Sequence, residues 1–270
     1  MPILNKDMSL CISLSGRPSN IGTRFHNFLY EELELNFIYK AFSTEDLAGA
    51  IAGVRALGIR GCSVSMPFKE DVMAMVDEIE PSAAAIESVN TIVNTNGRLV
   101  ASNTDFEAIA TLIARHELDK NHSVLVRGSG GMAKAVVAAF RDAGFEDLTV
   151  LARNESAGAE LAQKYNYKHV VSDPAPGHQI IVNVTPLGMN GAQSEVQSFS
   201  DEHIASAEAV FDVVAFPSET PLIRAAAKAG KPVITGAEVI ALQAAAQFEK
   251  YTGQSVTDDQ VARASEFSRQ

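Results

Sequence analysis

Short β-prone runs bounded by turn residues alternate with segments whose apolar residues recur three and four positions apart. The pattern predicts strands over Ser9–Ser15, Phe37–Phe42, Gly61–Ser65, Thr91–Asn94, Leu99–Ser102, Ser123–Val126, Leu148–Ala152, Val170–Ser172, Ile180–Val184, Ala209–Val214 and Pro232–Thr235. It predicts helices over segments such as Phe25–Leu33, Leu47–Leu57, Phe106–Arg115, Met132–Ala143, Ala237–Thr252 and Asp258–Phe267. Ser43 with Asp46 predicts a capping box ahead of the second of these, and Thr257 with Gln260 another ahead of the last. Asn96-Gly97 between two strand-like runs predicts a tight hairpin. The alternation as a whole predicts an α/β protein with parallel sheet and crossover helices.

A division is expected near residue 105. The first hundred residues read as one α/β unit, and a second opens at Ser123 after a helix. After Thr235 only helices follow; the pattern leaves open whether they close the second sheet or return to the first unit. There is no internal repeat and no low-complexity linker.

Composition narrows the function classes. The chain has 270 residues, 46% hydrophobic and 20% charged, as expected of a globular protein with a real core. Its net charge of −11, without a lysine or arginine block, argues against nucleic acid or an anionic membrane as partner. Two cysteines, Cys11 and Cys62, lie in apolar runs and read as reduced core thiols. The opening MPILNKDMSL has no basic segment followed by an apolar stretch, and no apolar run approaches the ~18 residues that span a bilayer. A cytoplasmic protein, monomer or homodimer, is expected. The six histidines show no ligand spacing, so no metal is predicted. His26 reads as a partly buried structural residue. No nucleophile elbow follows a strand.

Candidate chemistry begins at Val126-Arg127-Gly128-Ser129-Gly130-Gly131-Met132-Ala133, between a predicted strand and a helix. Gly128 permits the tight turn, Gly130 lets backbone approach a pyrophosphate, and Ala133 lets helix and strand pack closely. Free amides at the helix start attract the phosphates. The following strand ends in Ala152-Arg153-Asn154, where NAD-preferring enzymes offer a carboxylate to the ribose hydroxyls. Arg153 cannot accept from hydroxyls but can pair with a 2′-phosphate, so NADP is expected over NAD.

Three segments upstream collect a lysine, carboxamides, hydroxyls and a carboxylate: Met66-Pro67-Phe68-Lys69-Glu70, Ser88-Val89-Asn90-Thr91 and Asn103-Thr104-Asp105. Pro67 reads as the first turn of a helix, which would put Lys69 at the unfavourable end of the helix dipole and lower its pKa. Asp105 and the two asparagines could equally be cap and turn residues; their joint recurrence supports a polar small-molecule pocket.

These motifs resemble the shikimate dehydrogenase family over nearly the full chain. The resemblance rests on Gly61–Glu70, Ser88–Thr91, Asn103–Asp105, Gly128–Gly131, Asn183-Val184-Thr185-Pro186-Leu187-Gly188-Met189, Gly236 and Gln243. It implies a substrate domain (1–104 with 238–270) and a Rossmann domain (105–237), a cleft between them that closes on binding, and NADP-linked interconversion of shikimate and 3-dehydroshikimate. By motif, it implies Lys69 and Asp105 as the catalytic pair, with Ser65, Asn90 and Gln243 as substrate binders. Gly128, Ser129, Gly130, Gly131, Met132, Ala133 and Arg153 would hold the dinucleotide, with Thr185, Leu187, Val213 and Gly236 lining its nicotinamide side.

The chain departs from the family pattern at several points. The usual Ser-x-Ser carboxylate clamp is replaced in Arg17–Thr23, where Gly22 takes the second serine position and Ser19, Asn20 or Thr23 would substitute. The family asparagine is Ser63, and the family tyrosine is Ala215. A divergent branch is implied, with shikimate, quinate or a related hydroxylated cyclic acid as substrate. A ligand sensor, or an enzyme acting on an amino-substituted analogue, is the alternative. Methylenetetrahydrofolate dehydrogenases share the two-domain plan but fit the Pro-Phe-Lys and Asn-Thr-Asp segments less well.

Overall fold

A computed structural model describes residues 4–270; the first three residues of the N-terminal segment considered above lie outside it. The chain divides into two compact units, one running to Thr104 and resuming at Ala241–Gln270, the other Asp105–Ile240.

The first unit opens with β1 (Ser9–Leu14), α1 (Ile21–Glu32), β2 (Phe37–Phe42), α2 (Leu47–Ala56) and β3 (Gly61–Val64). A 3-10 turn at Asp71–Met75, β4 (Glu78–Ile79), α3 (Pro81–Ala84), β5 (Thr91–Thr95) and β6 (Arg98–Ser102) follow. Strand order is β2-β1-β3-β5-β6-β4. β1, β2 and β3 are parallel, but β5 pairs antiparallel with both β3 and β6. The Asn96-Gly97 turn, both residues at positive φ, forms the expected hairpin between β5 and β6, so this sheet is mixed while the parallel pairs are those of β1 with β2 and β3 and of β4 with β6. Asp46 itself caps α2, its carboxylate accepting from Gly49 N at 2.8 Å, so the box expected from Ser43 is not formed.

The second unit holds α4 (Thr104–Arg115, beginning one residue earlier), β7 (Val124–Arg127), α5 (Gly131–Asp142), β8 (Leu148–Leu151), α6 (Glu155–Lys164) and β9 (Lys168–Val170). It continues through β10 (Ile180–Asn183), α7 (Asp201–Ser206), β11 (Ala209–Asp212), α8 (Pro221–Lys228) and β12 (Val233–Thr235). All six strands are parallel in the order β12-β11-β10-β7-β8-β9. Strand order reverses between β7 and β10, the switch point of a doubly wound sheet. β9 lies two residues before its expected position: Val170 ends it, because an edge strand admits the polar Lys168. Leu125, Leu151, Ile181 and Val210 bury one sheet face against Phe199, Ile204, Leu222 and Ala226.

The chain ends in α9 (Gly236–Thr252) and α10 (Asp258–Ser268), the latter opened by the Thr257–Gln260 capping box. The part of α9 from Ala241, with α10, resolves the alternative left open by the pattern: Ala244, Phe248, Tyr251, Val261 and Ala264 pack with Cys11, Phe25, Leu29 and Tyr39 on one face of the first sheet. The other face packs Ile12, Leu14, Cys62 and Val64 against Ile51, Val54 and Val72. Both cysteines are buried free thiols, and burial pushes the Cys11 thiol up to about 11. Glycine is required at Gly61, where a methyl group would fall on the Tyr251 ring. Among the described residues no helix is long and apolar enough to cross a membrane.

Candidate functional site

In the first unit the ends of β3, β5 and β6 converge on a buried polar network centred on Asn90, which is 3% exposed. Asn90 Oδ1 accepts from Thr91 Oγ1 at 2.8 Å, Thr104 N at 2.9 Å and Thr104 Oγ1 at 3.1 Å. Helix α9 adds two carboxamides. Gln243 Nε2 lies 3.4 Å from Thr104 Oγ1, and Gln247 Nε2 donates to Thr91 Oγ1 at 2.9 Å, Asn90 O at 3.2 Å and Ser63 Oγ at 3.3 Å. Ser63, the departure from the family asparagine, thus meets a carboxamide carried by a helix. Asn103 serves the loops: its amide donates to Ser88 O at 2.8 Å, and its backbone N–H to Ser82 Oγ at 3.1 Å.

Lys69 is tied into this network by its backbone, since Val89 N donates to Lys69 O at 2.8 Å. The segments bearing Lys69 and Asn90 are therefore brought together, and Thr104, directly before Asp105, joins them through Asn90. The helix expected at Pro67 is absent; after a turn closed by Phe68 N on Ser65 O, only the 3-10 turn at Asp71–Met75 follows. The dipole argument for Lys69 fails with it, because five residues of 3-10 turn do not build an α-helix macrodipole. Ser65 is exposed just beyond β3.

The three residues considered for carboxylate binding part company. Ser19 and Asn20 are exposed at the start of α1, and Asn20 occupies the N-cap position without a side-chain cap bond. Thr23 differs from the exposed pair in that its Oγ1 is buried and has no hydrogen-bond partner within the protein. Packing does not demand Gly22, where a Cβ would sit an ordinary 3.6 Å from Tyr39 Oη.

In the second unit the glycine turn joins β7 to α5 at the switch point. Gly128 has φ +128, and a Cβ there would lie 2.7 Å from Val184 Cγ2, so turn and packing both require glycine. Gly130, the N-cap of α5, and Gly131 are different: a Cβ at either meets no protein atom within 4 Å. The protein's own packing gives no reason for those two glycines. Open space before free helix-start amides fits a pyrophosphate. Ser129 and Met132 are partly buried around this turn, and Ala133 is fully buried beneath it. Arg153 is exposed between the end of β8 and the Asn154 cap of α6, whose Oδ1 accepts from Ala157 N at 3.2 Å.

The neighbouring strand ends are held by a buried triad whose members have no assigned role in the sequence motifs. Asn183 Nδ2 donates to Asp212 Oδ1 at 3.0 Å and Leu187 O at 3.1 Å, and Thr220 Oγ1 donates to Asp212 Oδ2 at 2.7 Å. Burial raises the Asp212 carboxyl above its ordinary range, against the lowering effect of its hydrogen bonds to Thr220, Val214 and Asn183. Thr185 donates its hydroxyl to Asn183 Oδ1 at 2.6 Å and accepts from Leu187 N at 3.3 Å, so that group is spent on the loop. Leu187 lines a cavity of about 450 Å³ with Arg127, Ser198, Phe199 and His203. Gly236 starts α9 against the backbone of Val213 and Val214, where a Cβ would overlap the Val214 carbonyl. Among the described residues no three His, Cys, Asp or Glu side chains group as a metal site.

Comparison with known proteins places this arrangement. A shikimate dehydrogenase-like protein from Haemophilus influenzae is 58% identical over 268 residues, 99% of each chain, and the NADP(+) shikimate dehydrogenase of Chlorobaculum tepidum is 36% identical over 88% of each. The chain belongs to the shikimate dehydrogenase family. The family profile described as shikimate dehydrogenase substrate binding domain matches residues 20–92. Among solved shikimate dehydrogenase-family structures, that of a shikimate 5-dehydrogenase-like protein superposes with a TM-score of 0.98 at 57% identity, covering 99% of this chain and all of the other. Shikimate 5-dehydrogenase of Thermus thermophilus, in complex with NADP(H) and shikimate, gives 0.86 at 28% identity, covering 97% of this chain and all of its own. Members of this family are oxidoreductases by name, and their shared fold is a substrate domain followed by a Rossmann domain.

Against the residues expected from sequence, the structure adds Thr91, Thr104 and Gln247 in the first unit and Asn183, Asp212 and Thr220 in the second. One signal was available: Asn183 and Asp212 are polar residues closing two otherwise apolar strands, at paired register positions. Gln247 offered none, standing in an alanine-rich helix far along the chain from its partners.

Proposed function

We propose that this protein is an NADP-linked alcohol dehydrogenase that interconverts shikimate, or a related hydroxylated cyclic acid such as quinate, with its 3-dehydro ketone. The supporting observation is that Val89 N holds Lys69 O while the next residue, Asn90, holds Thr104, so the segments bearing the proton-transfer candidates are gathered around one carboxamide. The Thermus relative, solved with both NADP(H) and shikimate, adds weight.

Bound NADP would supply a hydride acceptor. Gly128, Ser129, Gly130, Gly131, Met132 and Ala133 would hold its pyrophosphate, Arg153 its 2′-phosphate, and Thr185, Leu187, Val213 and Gly236 its nicotinamide side. As hydride leaves the carbinol carbon, Lys69 takes the hydroxyl proton, and it returns that proton in the reducing direction. Asp105 orients Lys69 and bonds a ring hydroxyl. Asn90 and Gln243 fix further hydroxyls; Ser65 and the exposed Ser19 and Asn20 receive the carboxylate.

A spectrophotometric screen of shikimate, quinate and analogues with NADP and NAD tests this. NADPH formation that falls about 10²–10⁴-fold in Lys69→Ala supports it. Binding without turnover across the panel would instead indicate a sensor.

A further inference from the structure

Gln247 lies one turn beyond Gln243 on α9, so the two side chains share a helix face. It is 3% exposed. The orientation of its amide is dictated by a backbone group, since the Asn90 carbonyl can only accept and therefore faces Nε2. The same nitrogen donates to Thr91 Oγ1 at 2.9 Å. A hydroxyl carries one proton. With its oxygen already accepting from Gln247, Thr91 directs that proton to Asn90 Oδ1, 2.8 Å away, in preference to the Thr104 hydroxyl at 3.3 Å. Gln243 acts in the same sense on Thr104, whose hydroxyl and backbone N–H both reach Asn90 Oδ1.

Two threonine hydroxyls, each accepting from a glutamine, thus join the Thr104 backbone N–H on one carbonyl oxygen, which is saturated by three donors. None of these bonds uses Asn90 Nδ2. We infer that Gln247 is a positioning residue for Asn90: it fixes the direction of a hydrogen-bond chain that leaves Asn90 only a donor to offer a ring oxygen. The inference rests on the proposed function for the identity of that oxygen, and on the network alone for the direction of the chain.

His26, Phe248 and Tyr251 give the device rigidity. The imidazole stacks on Tyr39 at 4.4 Å and lies 6.3 Å from the Phe248 ring, next to Gln247 in sequence, so this turn of α9 is clamped where the amide leaves it.

Two variants test the inference. Gln247→Glu replaces the donor by an acceptor that takes the Thr91 proton; Gln247→Met removes the polar group at similar length. The KM for the cyclic acid should rise about tenfold or more in Gln247→Glu and less in Gln247→Met, exceeding any fall in kcat, with the KM for NADP unmoved. Equal changes in both KM values, or none, would overturn it. In the ligand-free protein, the Asn90 Nδ2 proton resonances, assigned by their loss in Asn90→Asp, should shift in Gln247→Met and Thr91→Val; unmoved resonances also overturn it. If the wild type turns over no cyclic acid, the functional proposal fails while these resonances still decide the relay.

Discussion

Asn183 and Asp212 face each other in register across β10 and β11, and the Asn183 amide donates to the Asp212 carboxylate at 3.0 Å. Through Thr185, Leu187, Val214 and Thr220, this pair sets the course of both loops that leave the sheet. Asp212→Ala strands three buried donors at once, and the expected loss of stability is about 3 kcal/mol. Asp212→Asn keeps the shape and one acceptor and should lose less. Urea unfolding of the two variants and the wild type measures the difference.

His26 is buried and held down to about 3 by desolvation, with its bond to Gln247 acting in the opposite sense. Between that value and the ordinary 6.5 the unfolded chain binds the extra proton, so stability rises with pH across this window. The contribution is fully present above 6.5 and lost as pH falls toward 3. From pH 7 to pH 4 this residue should remove roughly 3 kcal/mol. His26→Phe, which retains a stacked ring, should flatten that part of the urea midpoint profile.

Gly130 and Gly128 should separate binding from folding. Gly130→Ala places its Cβ in open space on backbone that any residue adopts, so stability should change by no more than about 0.5 kcal/mol. The KM for NADP should rise at least about tenfold if a pyrophosphate uses that space. Gly128→Ala, strained at φ +128 and crowded by Val184, should lower the melting temperature.

Arg153→Ala should raise the KM for NADP about ten- to a hundredfold, as loss of a charge-assisted bond implies, and that for NAD far less. Steady-state kinetics with both cofactors at saturating cyclic acid measure the ratio; equal effects would remove Arg153 from 2′-phosphate recognition.

Local chemistry explains which features could be read from the chain. The Thr257–Gln260 box and the Asn96-Gly97 hairpin depend on neighbours within four residues, and both form. The glycine turn was recognisable because strand, turn and helix lie consecutively. Asp46 misled because an aspartate three residues after a serine can close a box or cap the helix alone, and here it caps. The Pro67 helix failed because proline is equally at home in a turn. Gln247 was beyond reach: its bond to Thr91 spans 156 residues, and no periodicity encodes a contact of that kind.

The aromatic layer on the first sheet also bears on how the chain matures. Its Cys11, Phe25, Leu29 and Tyr39 are translated long before the Phe248, Tyr251, Val261 and Ala264 that pack against them. The first unit is thus begun before the second and sealed after it, waiting with one greasy surface bare while the whole intervening nucleotide-type fold is translated. Nascent copies would then depend on chaperone cover for longer than a protein whose folding units follow one another along the chain.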